Sequence, residues 1–179
     1  MDCNITVIEY LNMKIALIGM PTSGKSTISK LLVDALSFSF IDLDALLEKK
    51  FQMPLQHFIN LEGEDEFISQ ENSLMLEIKY PPKTIISTGG SVVYATEAMN
   101  KLKDAGVHFV YLQTPIDVLE ARLETQRDVR GIVMNGSKNW SELLHSRDQL
   151  YRKYADTVIN TENKSANDIS FEIINTVVK

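Results

Sequence analysis

The residues with the most specific chemistry form one run of eight, Gly19-Met20-Pro21-Thr22-Ser23-Gly24-Lys25-Ser26. The run fits the pattern G-x-x-x-x-G-K-[ST] at every fixed position. An apolar stretch, Lys14–Ile18, precedes it, and a helically spaced stretch follows it. A loop of this kind wraps backbone N–H groups around a β-phosphate, and the next helix adds the positive end of its dipole. Lys25 has the reach for the β- and γ-phosphates, and Ser26 offers a hydroxyl to Mg²⁺. Gly24 lets an anion come close where a Cβ would crowd it. The guanine-reading sequence Asn-Lys-x-Asp is missing after Val107–Leu112, where Thr114-Pro115-Ile116-Asp117 stands. The nucleotide implied is therefore ATP.

A second constellation is Asp42-Leu43-Asp44. At a strand end, i, i+2 spacing can aim both carboxylates into one cleft. One can hold Mg²⁺, directly or through water, and the other can accept a hydrogen bond from an acceptor hydroxyl and orient it. The plainer alternative is that Asp44 caps the next helix and Asp42 is a solvated turn residue. Arg122, Arg127 and Arg130 bracket the start of a non-periodic stretch over 127–139 that reads as a flap. A closing flap suits phosphoryl transfer, because water would otherwise take the phosphoryl group.

Other residues invite chemistry less. His57, His108 and His145 fall on three separate segments and read as structural or surface groups, with no metal spacing among them. Glu62, Glu64, Asp65 and Glu66 read as a solvated helix start, where the dipole favours negative charge. Trp140 reads as a packing anchor, Tyr151 as a buttress for Arg147 one turn away, and Phe51, Met53 and Phe58 as core or acceptor wall.

These groups need a frame. Strand-like runs at Lys14–Ile18, Phe38–Ile41, Thr84–Ser87, Val107–Leu112 and Thr157–Ile159 alternate with helical spacing over 26–36, 44–50, 64–79, 97–105, 140–154 and 166–178. Pro54 and Pro115 mark two further helix starts, and Pro81-Pro82 a stop. The alternation predicts a three-layer α/β fold with a five-stranded parallel sheet and its ligand at the C-terminal strand ends. Residues 1–12 read as an extension, either loose or ahead of the true start, and 13–179 as one domain.

Composition narrows the classes. The chain has 179 residues, 44% of them hydrophobic, with 18 basic and 24 acidic residues for a net charge of −6. That balance argues against a nucleic-acid or anionic-membrane binder. The single cysteine, Cys3, and the short apolar runs suit a reducing, cytoplasmic setting without a membrane span.

The sequence resembles the shikimate kinase family, of the nucleoside-monophosphate-kinase-like P-loop group, over nearly all of 13–178. The likeness is carried by Met13 through Pro21 with Gly24-Lys25-Ser26-Thr27, by Phe40-Ile41-Asp42-Leu43-Asp44 and by Gly63-Glu64-xx-Phe67-xxx-Glu71. Ser87-Thr88-Gly89-Gly90, Arg130 and Arg147-xx-Leu150-Tyr151-xxx-Ala155 continue it. The resemblance implies a P-loop NTPase fold with strand order 2-3-1-4-5, an acceptor-binding lobe over about 42–79 and a mobile lid over about 126–139. It implies ATP and Mg²⁺ as cofactors, shikimate or a related hydroxy acid as the small-molecule partner, and a monomer. Gly19, Thr22, Ser23, Gly24, Lys25, Ser26 and Thr27 would hold the nucleotide, with Arg127 or Arg122 on adenine. Ser26 and Asp42 would hold Mg²⁺. Asp44 would orient the attacking hydroxyl, Gly89 and Gly90 would bring backbone to the acceptor, and Arg147 would grip its carboxylate. Lys25 and Arg130 would meet the transferring phosphoryl group.

The sequence departs from the family on the acceptor side. Ile68 stands for the arginine that would share the carboxylate with Arg147, a charge-assisted contact of roughly 1.5–3 kcal/mol. Ser91 stands for the third glycine of Gly-Gly-Gly, and Gln149 for a proline. Arg127-Asp128-Val129-Arg130-Gly131-Ile132-Val133 is one residue short against a family lid that prefers Arg-Pro-Leu-Leu. Two alternatives to shikimate phosphorylation follow: a kinase for another polyol or hydroxy acid, and a nucleotide-binding protein without kinase activity.

Overall fold

Five parallel strands stand in the order β2-β3-β1-β4-β5 in the computed structural model, which describes residues 6–125 and 131–178. They are β1 (Lys14–Ile18), β2 (Ser39–Asp42), β3 (Thr84–Ser87), β4 (Val107–Gln113) and β5 (Thr157–Asn160). Central β1 pairs on both sides, with Lys14 opposite Thr84 of β3 and opposite Val107 of β4. A strand buried on both faces reads as a continuous apolar run, as Ile15–Ile18 does. Its side chains alternate between faces. Ile15 and Leu17 enter a core with Ile28, Leu32, Ile169 and Ile173, whereas Ala16 and Ile18 enter one with Met99, Phe109, Leu143 and Tyr151.

The helices are α1 (Val7–Asn12), α2 (Lys25–Leu36), α3 (Leu43–Phe51), α4 (Leu55–Glu62), α5 (Glu64–Glu77), α6 (Thr96–Asp104), α7 (Ile116–Thr125), α8 (Trp140–Tyr154) and α9 (Ala166–Ile173). A 3₁₀ turn covers Val92–Tyr94, and the closing helix loosens into a π-type turn at Ile174–Val178. Helices α2 and α9 cover one face of the sheet, while α6 and α8 cover the other. Among the described residues no helix is long and apolar enough to cross a membrane.

Three local readings need correction. Asp42, not Asp44, caps α3, accepting a hydrogen bond from the Ala45 N–H at 3.2 Å. The second strand starts one residue late, at Ser39, because Phe38 turns into the core against Tyr10, with ring centroids 5.6 Å apart. The leading segment is not loose throughout: Thr6 and Glu9 close a capping box around the exposed helix α1.

Helices α3, α4 and α5 form a lobe with its own core of Leu47, Leu55, Ile59 and Phe67. Phe51 and Phe58 stack there at 3.8 Å, and Ile68 packs beside them. Val133, within the stretch read as a flap, is buried in the same core.

Candidate active site

The loop from Gly19 to Gly24 leaves the C-terminal end of β1 and enters α2. Gly24 caps α2 at φ 96°, a left-handed conformation that favours glycine, and no side chain covers the first turn. A helix start of this kind presents its leading N–H groups toward the loop that precedes it. Lys25 is buried, and its ammonium donates to the carbonyls of Gly19 and Met20, each at 2.8 Å. Ser23 is also buried and lies 3.4 Å from the same ammonium, while Thr27 faces solvent. Helix α7 braces the loop: Arg122 donates to the Thr22 carbonyl at 3.1 Å, and the Thr22 hydroxyl donates to the Leu119 carbonyl at 3.2 Å. Arg122 therefore lies on the loop. Arg127 and Arg130 lie outside the described residues.

Next to the loop, the Ser26 hydroxyl is 3.4 Å from that of Ser87. Ser87 ends β3 directly opposite Asp42, the last residue of β2. The Ser26 hydroxyl on the first turn of α2 and the Ser87 hydroxyl thus meet beside the strand end that carries Asp42. This is a hard-oxygen donor set of the kind Mg²⁺ accepts, since that ion takes few protein ligands and fills the rest with water and phosphate. Among the described residues no cluster of three or more His, Cys, Asp or Glu side chains offers a metal site.

On the other side, β3 runs into Gly89, Gly90 and Ser91, and a Cβ would be crowded at both glycines. A Cβ on Gly89 would lie 2.8 Å from Asp44 Oδ1 and 2.8 Å from Glu71 Oε1. On Gly90 it would lie 2.6 Å from Pro21 Cδ and 3.1 Å from Arg147 Nη1. Glycine backbone therefore joins the phosphate loop, two carboxyls and a guanidinium in one place. Tyr151 supports the turn, donating its hydroxyl to the Gly90 carbonyl at 2.6 Å.

Arg147 is fully buried on α8. Its Nη2 donates to the Val133 carbonyl at 2.6 Å and its Nε to the Tyr94 hydroxyl at 3.3 Å, with the guanidinium over the Tyr94 ring. Nη1 has no hydrogen-bond partner, and no carboxylate among the described residues forms an ion pair with this arginine. A buried cation without an anion is costly, and the arrangement fits an anion supplied from outside. Glu71 is fully buried on α5. Its Oε2 accepts from the Ser91 hydroxyl at 2.9 Å, and its Oε1 has no partner. Burial first, and the nearby Asp44 carboxylate second, push its pKa up to about 8 against the pull of Ser91, Arg147 and Lys25.

Residues 21–178 match the family model described as shikimate kinase. The chain belongs to the shikimate kinase family. Among its relatives, a shikimate kinase of Wigglesworthia glossinidia brevipalpis is 36% identical over 169 residues, covering 92% of this chain and 96% of the relative. One of Pseudoalteromonas translucida is 34% identical, covering 89% and 94%. The solved shikimate kinase of Acinetobacter baumannii, in complex with shikimate, superposes with a TM-score of 0.78 at 25% identity, covering 96% of each chain. The Aquifex aeolicus shikimate kinase gives a TM-score of 0.77 at 27% identity, covering 93% of this chain and 96% of that one. Family membership brings the kinase-like P-loop architecture and a nucleotide site for ATP.

Within this shikimate kinase scaffold, Gly19 through Ser26, Asp42, Asp44, Gly89, Gly90 and Arg147 converge at the C-terminal ends of β1, β2 and β3. The histidines stand apart: His57 and His145 are exposed, and His108 lies 2.9 Å from the Thr157 hydroxyl on β5, its pKa lowered by burial. Sequence reasoning missed Glu71, Ser87 and Tyr94 as members of the cluster. Glu71 carried a readable signal, since it sits on the same helical stripe as Phe67 and Met75, four residues from each. An acidic residue on a core-facing stripe is rare without a partner. Glu64 was read as solvated, yet it accepts two backbone hydrogen bonds from Met134 and Asn135, within the stretch read as the flap.

Proposed function

We propose that the protein transfers the γ-phosphoryl group of ATP to a hydroxyl of shikimate. The observation that carries this reading is Arg147, a fully buried guanidinium with an unpartnered Nη1 at the Gly90 turn, beside the phosphate loop. A planar guanidinium suits a carboxylate, and shikimate is a hydroxy acid.

In this reading the leading N–H groups of α2 and the Lys25 ammonium hold the nucleotide phosphates. Ser26 and Asp42, next to Ser87, would hold Mg²⁺, which when bound supplies charge neutralisation at the phosphates. Arg147 seats the acceptor carboxylate, and Asp44 accepts a hydrogen bond from the attacking hydroxyl. As the new O–P bond forms, the bond to the β-phosphate oxygen breaks and leaves ADP. The hydroxyl proton passes to Asp44 and then to solvent. Lys25, and Arg130 from the lid, stabilise the charge on the transferring group. The protein does this mainly by positioning, as phosphoryl transfer requires.

One observation favours a second reading. Ile68 sits in an apolar cluster where the family has an arginine, and Ser91 ties up Glu71 where the family has glycine. A polyol or hydroxy acid that needs one guanidinium rather than two fits that half of the site. Coupled ADP release with Mg·ATP, with and without shikimate, tests both. Saturable shikimate-dependent turnover supports the first reading. Tight ATP binding with no stimulation by shikimate, followed by turnover in a polyol and hydroxy-acid panel, supports the second.

A further inference from the structure

Residues 131–135 cross the lobe beside α4 and α5 as a strap, and four separate contacts hold them there. Gly131 lies so close to α4 that a Cβ would stand 2.8 Å from both Leu55 Cβ and Ile59 Cδ1. The Ile132 N–H donates to Gln56 Oε1 at 3.0 Å. The Val133 side chain is buried in the lobe core with Leu55, Ile59 and Phe67. The N–H groups of Met134 and Asn135 donate to the two oxygens of the Glu64 carboxylate, each at 2.7 Å.

The last contact is the strongest by type, because an ionised acceptor shortens and strengthens a hydrogen bond. Asn135 adopts φ 48°, so the chain turns directly after these two N–H groups. Glu64 is the first residue of α5, fixed by the turn at Gly63. The Val133 carbonyl, in the middle of the strap, accepts from Arg147 Nη2 at 2.6 Å. A continuous path of bonds therefore runs from Glu64 through the strap to the guanidinium whose Nη1 stays unpartnered.

We propose that Glu64 is a positioning residue for the acceptor site: by gripping the strap it sets the Val133 carbonyl, and through it the orientation of Arg147. The effect on turnover rests on the reading of Arg147 as the acceptor's carboxylate clamp. The path of bonds does not. Of the guanidinium's other contacts, the Tyr94 hydroxyl holds Nε and the Tyr94 ring lies against one face, so the strap carbonyl is the hydrogen-bond partner of the Nη2 end. Without the strap carbonyl the Nη2 end loses its hydrogen-bond partner, and with it the contact that sets the aim of Nη1.

The test compares the wild type with Glu64→Ala, Glu64→Gln and Gly131→Ala, the last disturbing the strap without touching Glu64. With shikimate and Mg·ATP, Glu64→Ala is expected to raise the acceptor KM about tenfold or more, the scale of one lost charge-assisted contact. The KM for ATP and kcat should hold. Glu64→Gln keeps one acceptor oxygen and should fall between. In parallel, NMR follows the Arg147 guanidinium signals, assigned by their loss in Arg147→Lys, with no acceptor present. Slowed rotation of Nη2 in the wild type and its loss in both Glu64→Ala and Gly131→Ala support the proposal, even if shikimate proves to be no substrate. Unchanged Arg147 signals in folded Glu64→Ala overturn it. An unchanged acceptor KM with turnover intact, or a lower melting temperature alone, also overturns it. Should Glu64→Ala not fold, the Glu64→Gln and Gly131→Ala signals decide by the same criteria.

Discussion

Ser91 donates its hydroxyl to the buried carboxyl of Glu71 at 2.9 Å, so the residue that stands for the family's third glycine holds the most perturbed acid of the site. The groups facing Glu71 are Asp44 from α3, Ser91 from the glycine turn, Arg147 from α8 and Lys25 from the phosphate loop. Its pKa of about 8 stands against an ordinary 4.5. Between those values the unfolded chain has released this proton and the folded chain has kept it. The folded state is therefore favoured most below pH 4.5, and this contribution is lost as pH rises to about 8. Glu71→Gln is expected to flatten that slope and to stabilise the protein at pH 8, on the order of a few kcal/mol relative to its effect at pH 5. Melting temperatures of both proteins from pH 5 to 9 check this. Parallel curves would mean that Glu71 ionises at its ordinary pKa in the fold.

Lys25 bonds to the carbonyls of its own loop, so its ammonium is already held at the mouth of the α2 N-terminus. Lys25→Ala should lower kcat by roughly 10²–10³, the scale of removing one preorganised charge from a transition state. Steady-state ADP release measures it. A loss under tenfold would place the main phosphate contact on another residue.

Asp44 and Arg147 should separate in kinetics. Asp44→Ala is expected to collapse turnover while nucleotide binding, read by titration calorimetry, persists. Arg147→Lys keeps a charge but loses the planar fork, and should mainly raise the acceptor KM, by about ten- to a hundredfold. Near-wild-type rates in Asp44→Ala would move the acceptor hydroxyl elsewhere in the site.

Ile68 offers a gain-of-function test. It is half-buried at the border of the lobe core, one helical turn before Asn72 and next to Phe67. Ile68→Arg restores the family's second guanidinium. If shikimate is the acceptor, its KM should fall several-fold, with a stability cost of about 1–3 kcal/mol from the charge placed against apolar neighbours. A higher KM in a folded variant would show that the site has been rebuilt around one arginine.

The frame and the nucleotide half of the site were legible in the sequence for local reasons. A phosphate loop must be glycine, lysine and hydroxyl at fixed spacing, because backbone N–H groups, a helix start and one cation act within eight residues. Buried strands must be apolar runs, and Lys14–Ile18, Thr84–Ser87 and Val107–Leu112 were visible as such within a residue. Asp42 was misread as the solvated partner of a capping Asp44 in the plainer alternative, since i, i+2 spacing does not reveal which carboxylate meets the first turn. What tertiary structure alone decided lies on the acceptor side. Glu71, Ser91, Asp44 and Arg147 come from four elements up to 103 positions apart, between Asp44 and Arg147, and meet only because the sheet order folds them onto the Gly89–Gly90 turn. Glu64 looked like one more acid in a solvated helix start, and its neighbours in sequence supported that. Its bonds to Met134 and Asn135 span some seventy residues. No local period encodes such a contact; only the docking of the strap across α4 and α5 creates it.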